Sequence, residues 1–152
     1  MTELAYVSST LDADITAVWS VLGDFHGLPV WMARARESVA EGGREPGAVG
    51  SVRCLTLDPN GRRTRERLVH YDGADHRYSY EFDGVNPFPV SSYLGTVHLL
   101  PITDTGRTFV EWFGEFDPLP GTDQAAVEAL RDSFTGFYTE FIGDLRTHLA
   151  AA

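Results

Sequence analysis

The residues of this chain best suited to chemistry are a carboxylate, several phenols and an imidazole, all set in runs that alternate like β-strands. In Arg62 to Tyr71 (RRTRERLVHY), Leu68 shares a face with Thr64, Glu66 and His70, whereas Arg63, Arg65 and Arg67 form a basic row on the other face. With Leu68 facing a core, Glu66 becomes a carboxylate inside an apolar wall. Burial raises a carboxyl pKa towards acid/base use near neutrality, unless an arginine holds the group ionised. Glu66 is therefore read either as a general base or as one half of an ion pair or a rim residue. The run Ser92 to Leu100 presents two alternative faces, Tyr93 with Gly95, Val97 and Leu99, or Ser92 with Leu94, Thr96 and His98. Tyr93 inside would offer a phenol to a substrate carbonyl, and His98 inside a proton shuttle near physiological pH. The Tyr93 face is favoured, because it carries the small Gly95 and the branched Val97. Tyr80 falls on one face of Arg77 to Phe82 with Tyr78 and Phe82, which leaves Ser79 and Glu81 for solvent.

The remaining candidates would shape a cavity. On Arg107 to Phe116 the interior set is Val110, Trp112, Gly114 and Phe116, although Phe109 and Phe113 spoil the alternation and a bulge would reverse it. Asp83 to Ser91 (DGVNPFPVS) places Phe88 between two prolines, as the plug of a lid or as cover for a sheet edge. Arg44-Glu45-Pro46-Gly47 is a second mouth loop. His26 and Trp31, in a segment broken by Gly and Pro, are placed over the pocket; His76 and His148 are placed at the surface. No His, Cys or acidic residues show metal-ligand spacing, and no Gly-rich phosphate loop or Gly-x-Ser-x-Gly elbow occurs. The expectation is a site without metal or organic cofactor.

These side chains need elements to hold them. Val127, Leu130, Phe134, Phe137, Tyr138, Phe141, Leu145 and Leu149 recur at spacings of three and four, which predicts one long helix from Thr122 to Leu149 with Asp123 in its first turn. Its stripe is unusually aromatic, so Phe134, Tyr138 and Phe141 are candidate cavity walls. Near the amino terminus, Glu3 to Thr10 reads as a strand. Ile15, Val18, Trp19 and Leu22 read as a short helix after Asp12, closed by Gly23 as a left-handed cap, with a second short helix to follow. From Arg34 onward, six candidate strands are separated by turn signals such as Asp58-Pro59-Asn60-Gly61 and Asp104-Thr105-Gly106. Short connections make neighbours antiparallel. The fold class is α+β, a single domain over residues 1–152 whose sheet must curl round its one large helix.

Composition narrows the partners. The net charge of −10, from 22 acidic and 12 basic residues, disfavours nucleic acid, whose phosphates are neutralised by Lys and Arg. No apolar run reaches membrane-spanning length, and no leader pattern opens the chain. A single cysteine, Cys54, precludes an internal disulfide and fits a reducing compartment, so a cytoplasmic location is expected.

Ala13-Asp14-Ile15-Thr16-Ala17-Val18-Trp19, then Asp24-Phe25 and Trp31, and the strands Arg65-Glu66-Arg67-Leu68 and Thr108-Phe109-Val110-Glu111-Trp112, together with the order of elements, resemble the START-like (SRPBCC) superfamily. Within it the likeness is to bacterial polyketide cyclase/dehydrase-type proteins, relatives of plant pathogenesis-related proteins and hormone receptors. The resemblance implies a helix-grip fold, a seven-stranded antiparallel sheet wrapped round the carboxy-terminal helix with a cavity between them. It also implies a hydrophobic or aromatic small-molecule partner and no cofactor. Two readings follow. One is a cyclase or dehydratase of secondary metabolism, with Glu66 or His98 removing a proton and Tyr80 or Tyr93 holding the enolate. The other is a carrier or sensor that uses the same walls, Trp31, Tyr78, Phe88, Trp112, Phe134 and Tyr138, without turnover. A protein-interaction role through Gly136 and Gly143 is a weaker third, and the chain is expected to be a monomer or a homodimer.

Overall fold

The computed structural model describes residues 2–151. Strands β1 (Glu3–Leu11), β2 (Ala35–Glu41), β3 (Val52–Leu57), β4 (Arg62–Asp72), β5 (Arg77–Phe82), β6 (Val90–Ile102) and β7 (Arg107–Pro118) form one seven-stranded antiparallel sheet in the order β1-β7-β6-β5-β4-β3-β2. Tight Asp/Asn/Gly turns join β3 to β4, β4 to β5 and β6 to β7, longer loops join β2 to β3 and β5 to β6 in the same meander, and β1 closes the far edge against β7. Helices α1 (Ile15–Leu22) and α2 (Leu28–Trp31) bridge β1 to β2, while α3 (Gln124–Ala151) packs against β1, β7 and α2. This is the helix-grip arrangement that the resemblance implied.

Local chemistry accounts for the helix ends. Asp14, not Asp12, caps α1, its side chain accepting from the Ala17 N–H at 2.9 Å. Gly23 closes α1 with φ −70°, so the expected left-handed cap is absent. A Cβ at Gly23 would fall 2.6 Å from the Trp19 ring, and that crowding accounts for the glycine. Asp123 precedes α3 instead of joining its first turn, and its Oδ1 accepts from the Ala126 N–H at 2.8 Å. Of the expected stripe, Val127, Leu130, Phe134, Tyr138 and Leu145 are buried, and Ile142 joins them.

Gly136 and Gly143 point away from the sheet, and a Cβ at either meets nothing within 4 Å. Replacing each with alanine should stabilise the protein by roughly 0.4–1 kcal/mol, because it removes helix-disfavouring backbone freedom without a clash. Urea denaturation of G136A and G143A at constant m-value checks this; an unchanged midpoint would mean that the unfolded chain is not the relevant term.

Strand register shifts at three places, between Ala35 and Glu37, between Leu68 and His70, and between Val90 and Ser92, and the second re-aims side chains near the site. In β4 the pairing runs Leu68 to Tyr80, then His70 to Ser79 and Tyr71 to Tyr78, so Val69 is an extra, bulged residue. The bulge sends His70 to the exposed face, against the simple alternation, and turns Tyr71 inward to donate to the Gly23 carbonyl at 2.8 Å. On β7, Val110, Trp112, Gly114 and Phe116 are buried, and Phe113 stacks on Tyr6 on the opposite face. Ser79 is buried as well, bonded to Thr96 at 2.8 Å instead of standing in solvent.

Polar clamps fix α3 over the sheet. Arg131 bonds the Leu4 carbonyl at 3.0 Å and pairs with Glu3, and Arg146 reaches Ser9 at 2.7 Å, all on β1. At the other edge Glu140 takes two bonds from Arg34, at 3.1 and 3.2 Å, and Asp144 accepts from the Ala33 N–H at 3.1 Å. Exposed pairs of this kind contribute only about 0–1 kcal/mol each, so they orient the helix more than they stabilise it.

Candidate functional site

Between α3 and the inner face of the sheet lies a cavity of about 170 Å³. Cavities of about 150 Å³ are known to admit a benzene ring, so the space suits a small aromatic molecule. Its walls follow from parity. β5 contributes Tyr80 and Phe82, β6 Tyr93, β7 Trp112, and α3 Phe134, Tyr138 and Phe141. Phe88, in the loop between β5 and β6, closes one side, packed 4.9 Å from the Phe134 ring centroid and 5.9 Å from that of Phe137. Partly exposed residues mark the mouth: Asp58, Pro59 and Asn60 of the β3–β4 turn, with Arg34 and Arg62. Arg62 bonds the Pro87 carbonyl and lies 5.9 Å from the Phe88 ring centroid, which anchors this loop to β4.

One end of the cavity is phenolic. The Tyr93 and Tyr138 hydroxyls bond each other at 2.5 Å, and the Trp112 indole N–H donates to the Tyr80 hydroxyl at 3.0 Å. Two glycines make room for these rings. Gly95 and Gly114 are partners in the β6–β7 register, and Gly95 also pairs with Tyr80 across β5 and β6. A Cβ at Gly95 would lie 2.5 Å from the Tyr80 ring, and one at Gly114 would lie 2.2 Å from the Tyr138 hydroxyl. Burial raises the pKa of Tyr80, Tyr93 and Tyr138 above the usual phenol range, so all three keep their protons at neutral pH.

The cavity floor is charged. Glu66 on β4 does face inward, but directly across the β3–β4 register stands Arg53, whose Nε bonds Glu66 Oε1 at 2.8 Å. Arg53 is 1% exposed, donates Nη1 to the Phe25 carbonyl at 2.9 Å, and holds its guanidinium 4.1 Å from the Phe25 ring centroid and 4.9 Å from that of Tyr80. Burial works against its charge, yet the Glu66 carboxylate and the nearby phenols outweigh it, so the Arg53 pKa is raised. Glu66 is thus held in an ion pair at the cavity floor.

Other candidates sit elsewhere. His98 is on the opposite face of β6, held between Glu111 at 3.2 Å and Asp75 at 3.3 Å, because its parity is that of Thr96 and not of Tyr93. His26 bonds Ser51 at 3.0 Å outside the cavity lining, and burial, followed by the Arg53 charge, pushes its pKa down. Trp31 is buried beside Trp112, with centroids 6.3 Å apart, and does not reach the lining. Tyr78 is wholly buried among Phe25, Tyr71 and Tyr80, also outside it. The loop at Arg44–Gly47 is no mouth loop: Pro46 accepts from Phe25 N–H at 3.4 Å and Gly47 lies against Tyr71. Arg53 is not among the residues expected at the site, yet it alternates with Leu55 and Leu57 on a strand whose apolar face is turned inward, and that spacing marks it as inward-facing. Among the described residues, no group of three or more His, Cys, Asp or Glu is arranged to hold a metal ion, and no helix is long and apolar enough to cross a membrane.

Comparison with known proteins agrees with this architecture. A protein from Nitrosospira multiformis is 28% identical, with 97% of this chain and 96% of that one aligned at a TM-score of 0.79. The protein XoxI from Bacillus cereus is 27% identical over 97% and 95% of the two chains, at 0.80. Ginseng major latex-like protein 151 from Panax ginseng shares the fold at 20% identity, with 97% of each chain aligned and a TM-score of 0.73. Among curated proteins, none matches the sequence. The model of one family, described as polyketide cyclase / dehydrase and lipid transport, matches residues 4–150. With the match running nearly end to end over a helix that grips a cavity, the chain belongs to the polyketide cyclase / dehydrase and lipid transport family.

Proposed function

We propose that this protein binds a small, flat, mostly apolar molecule in the cavity and holds it for transfer or presentation. The observation that carries this reading is the lining itself. Rings enclose the space on several sides, while the charged pair on its floor, Arg53 and Glu66, is already mutually neutralised. Such a site removes apolar ligand surface from water and demands no charge from the ligand. Native mass spectrometry of the purified protein, followed by thermal unfolding with the ligand it reveals, tests the reading. Ligand at a hundredfold excess over its Kd should add about 2.7 kcal/mol, a rise of roughly 5–10 °C in Tm. A protein that carries no ligand and gains no stability from aromatic compounds would overturn it.

A second reading, a cofactor-independent cyclase or dehydratase acting on a polyketide-like polycarbonyl compound, is favoured by one specific observation. Among the described residues Glu66 accepts a side-chain bond only at Oε1, from Arg53, and it lines the same cavity as Tyr80 and Tyr93. A carboxylate facing phenols can take an α-proton while the phenols hold the enolate oxygen. Under this reading Glu66→Gln abolishes turnover and leaves ligand affinity within a few-fold. Turnover that survives the change removes Glu66 from the mechanism, and a wild-type protein that binds without forming product leaves the carrier role.

A further inference from the structure

We infer that the phenolic end of the cavity is an oxygen-acceptor site that takes the carbonyl of a neutral aromatic or conjugated ketone; the inference rests on the ligand-binding reading above. Tyr80, Tyr93 and Tyr138 bring three hydroxyl hydrogens to one place, and the Trp112 N–H adds a fourth donor that already uses the Tyr80 oxygen. The Tyr93–Tyr138 bond consumes one hydroxyl hydrogen. Even a further contact between the neighbouring Tyr80 and Tyr93 rings, whose centroids are 6.2 Å apart, consumes only one more. Three phenols in a row can share at most two hydrogens among themselves, so at least one is left over. Among the described residues, no carbonyl or carboxylate accepts from any of the three hydroxyls, and all three side chains line the cavity.

A surplus of buried donors calls for an acceptor, because an unpaired buried hydroxyl is costly. A ligand hydroxyl could accept here only by finding a further acceptor for its own hydrogen. A carbonyl brings lone pairs only. An anionic oxygen is disfavoured by burial, which raises the pKa of Tyr80 and Tyr138 most strongly, and the charge of Arg53 is already taken up by Glu66. The surrounding rings of Phe134 and Trp112, stacked with Tyr138, match the flat body that bears such a carbonyl. The glycine pair Gly95 and Gly114 keeps the donors in place, since any side chain there would occupy the positions of the phenols.

Acetophenone and ethylbenzene, nearly equal in shape, test the site. Calorimetry gives the affinity of each for the wild type, Tyr80→Phe and Tyr138→Phe, and infrared spectroscopy of carbonyl-labelled acetophenone reads the carbonyl stretch. The expected result is a stretch lowered in the wild type relative to hydrocarbon solvent, with at least one variant losing part of that shift. In that variant the acetophenone-to-ethylbenzene affinity ratio should fall roughly three- to tenfold, the worth of one hydrogen bond to a neutral acceptor. Ethylbenzene affinity in each variant reports whether the cavity is intact, and Tyr138→Phe leaves the Trp112–Tyr80 bond undisturbed. Ethylbenzene binding with an unshifted acetophenone carbonyl, or shifts and ratios unchanged in both variants, overturns the acceptor site alone. Binding of neither compound overturns the ligand-binding reading and the acceptor site together.

Discussion

Arg53→Met should destabilise the protein by about 3–5 kcal/mol, the cost of leaving one member of a buried ion pair uncompensated. Arg53 is buried and the Glu66 side chain is 12% exposed, so water can replace little of what the guanidinium supplies. The same change removes the Nη1 bond to the Phe25 carbonyl and the packing on the Phe25 ring, which joins the segment after α1 to β3. Denaturant titration of the variant measures the loss. The double variant Arg53→Met with Glu66→Leu should recover most of it, because a pair replaced by apolar groups of similar volume is close to neutral. A single variant as stable as the wild type would mean that Glu66 is solvated through the cavity mouth.

Gly114→Ala should cost about 1–3 kcal/mol through overpacking and abolish ligand binding. The added Cβ would lie 2.2 Å from the Tyr138 hydroxyl and 2.9 Å from the Tyr93 ring. Tyr138 cannot simply swing aside, since its ring is stacked between Trp112, with centroids 6.0 Å apart, and Phe134 at 6.4 Å. The displaced phenol has only the cavity to enter. Because the hydroxyl is the nearest atom and the ring carbon that bears it is 3.3 Å away, adding Tyr138→Phe should relieve much of the strain. Chemical denaturation of the single and double variants checks this; a double variant no more stable than the single one would place the clash at Tyr93.

These two positions mark how far the sequence could be read. The 3.6-residue period of Phe134, Tyr138 and Leu145, and the shared face of Tyr80 and Phe82, depend only on local geometry, and both are present in the fold. Alternation alone does not separate Tyr93 from His98, because both faces of β6 are buried from Gly95 to Leu99; Gly95 and Val97 only favour the Tyr93 face. Alternation failed at His70, where one inserted residue in β4 reverses the facing of everything after it. Nothing within a single strand announces such a bulge. His26 and Trp31 belong to a segment broken by Gly and Pro, and Tyr78 shares the face of Tyr80, yet each is held behind the cavity wall by neighbours from other elements: Ser51, Trp112 and Phe25.

By itself, then, the sequence determined the α+β layout, the long aromatic helix and the family, and put Glu66 on the face of Leu68, because each of these follows from periodicity or from a pattern spread along the chain. Only the tertiary structure decided what Glu66 is. Its partner Arg53 stands thirteen residues away along the chain and directly opposite across β3 and β4, and pairing across strands is set by register. The same holds for the phenols of Tyr93 and Tyr138, forty-five residues apart, which meet only because Gly114, on a third element, leaves them the space.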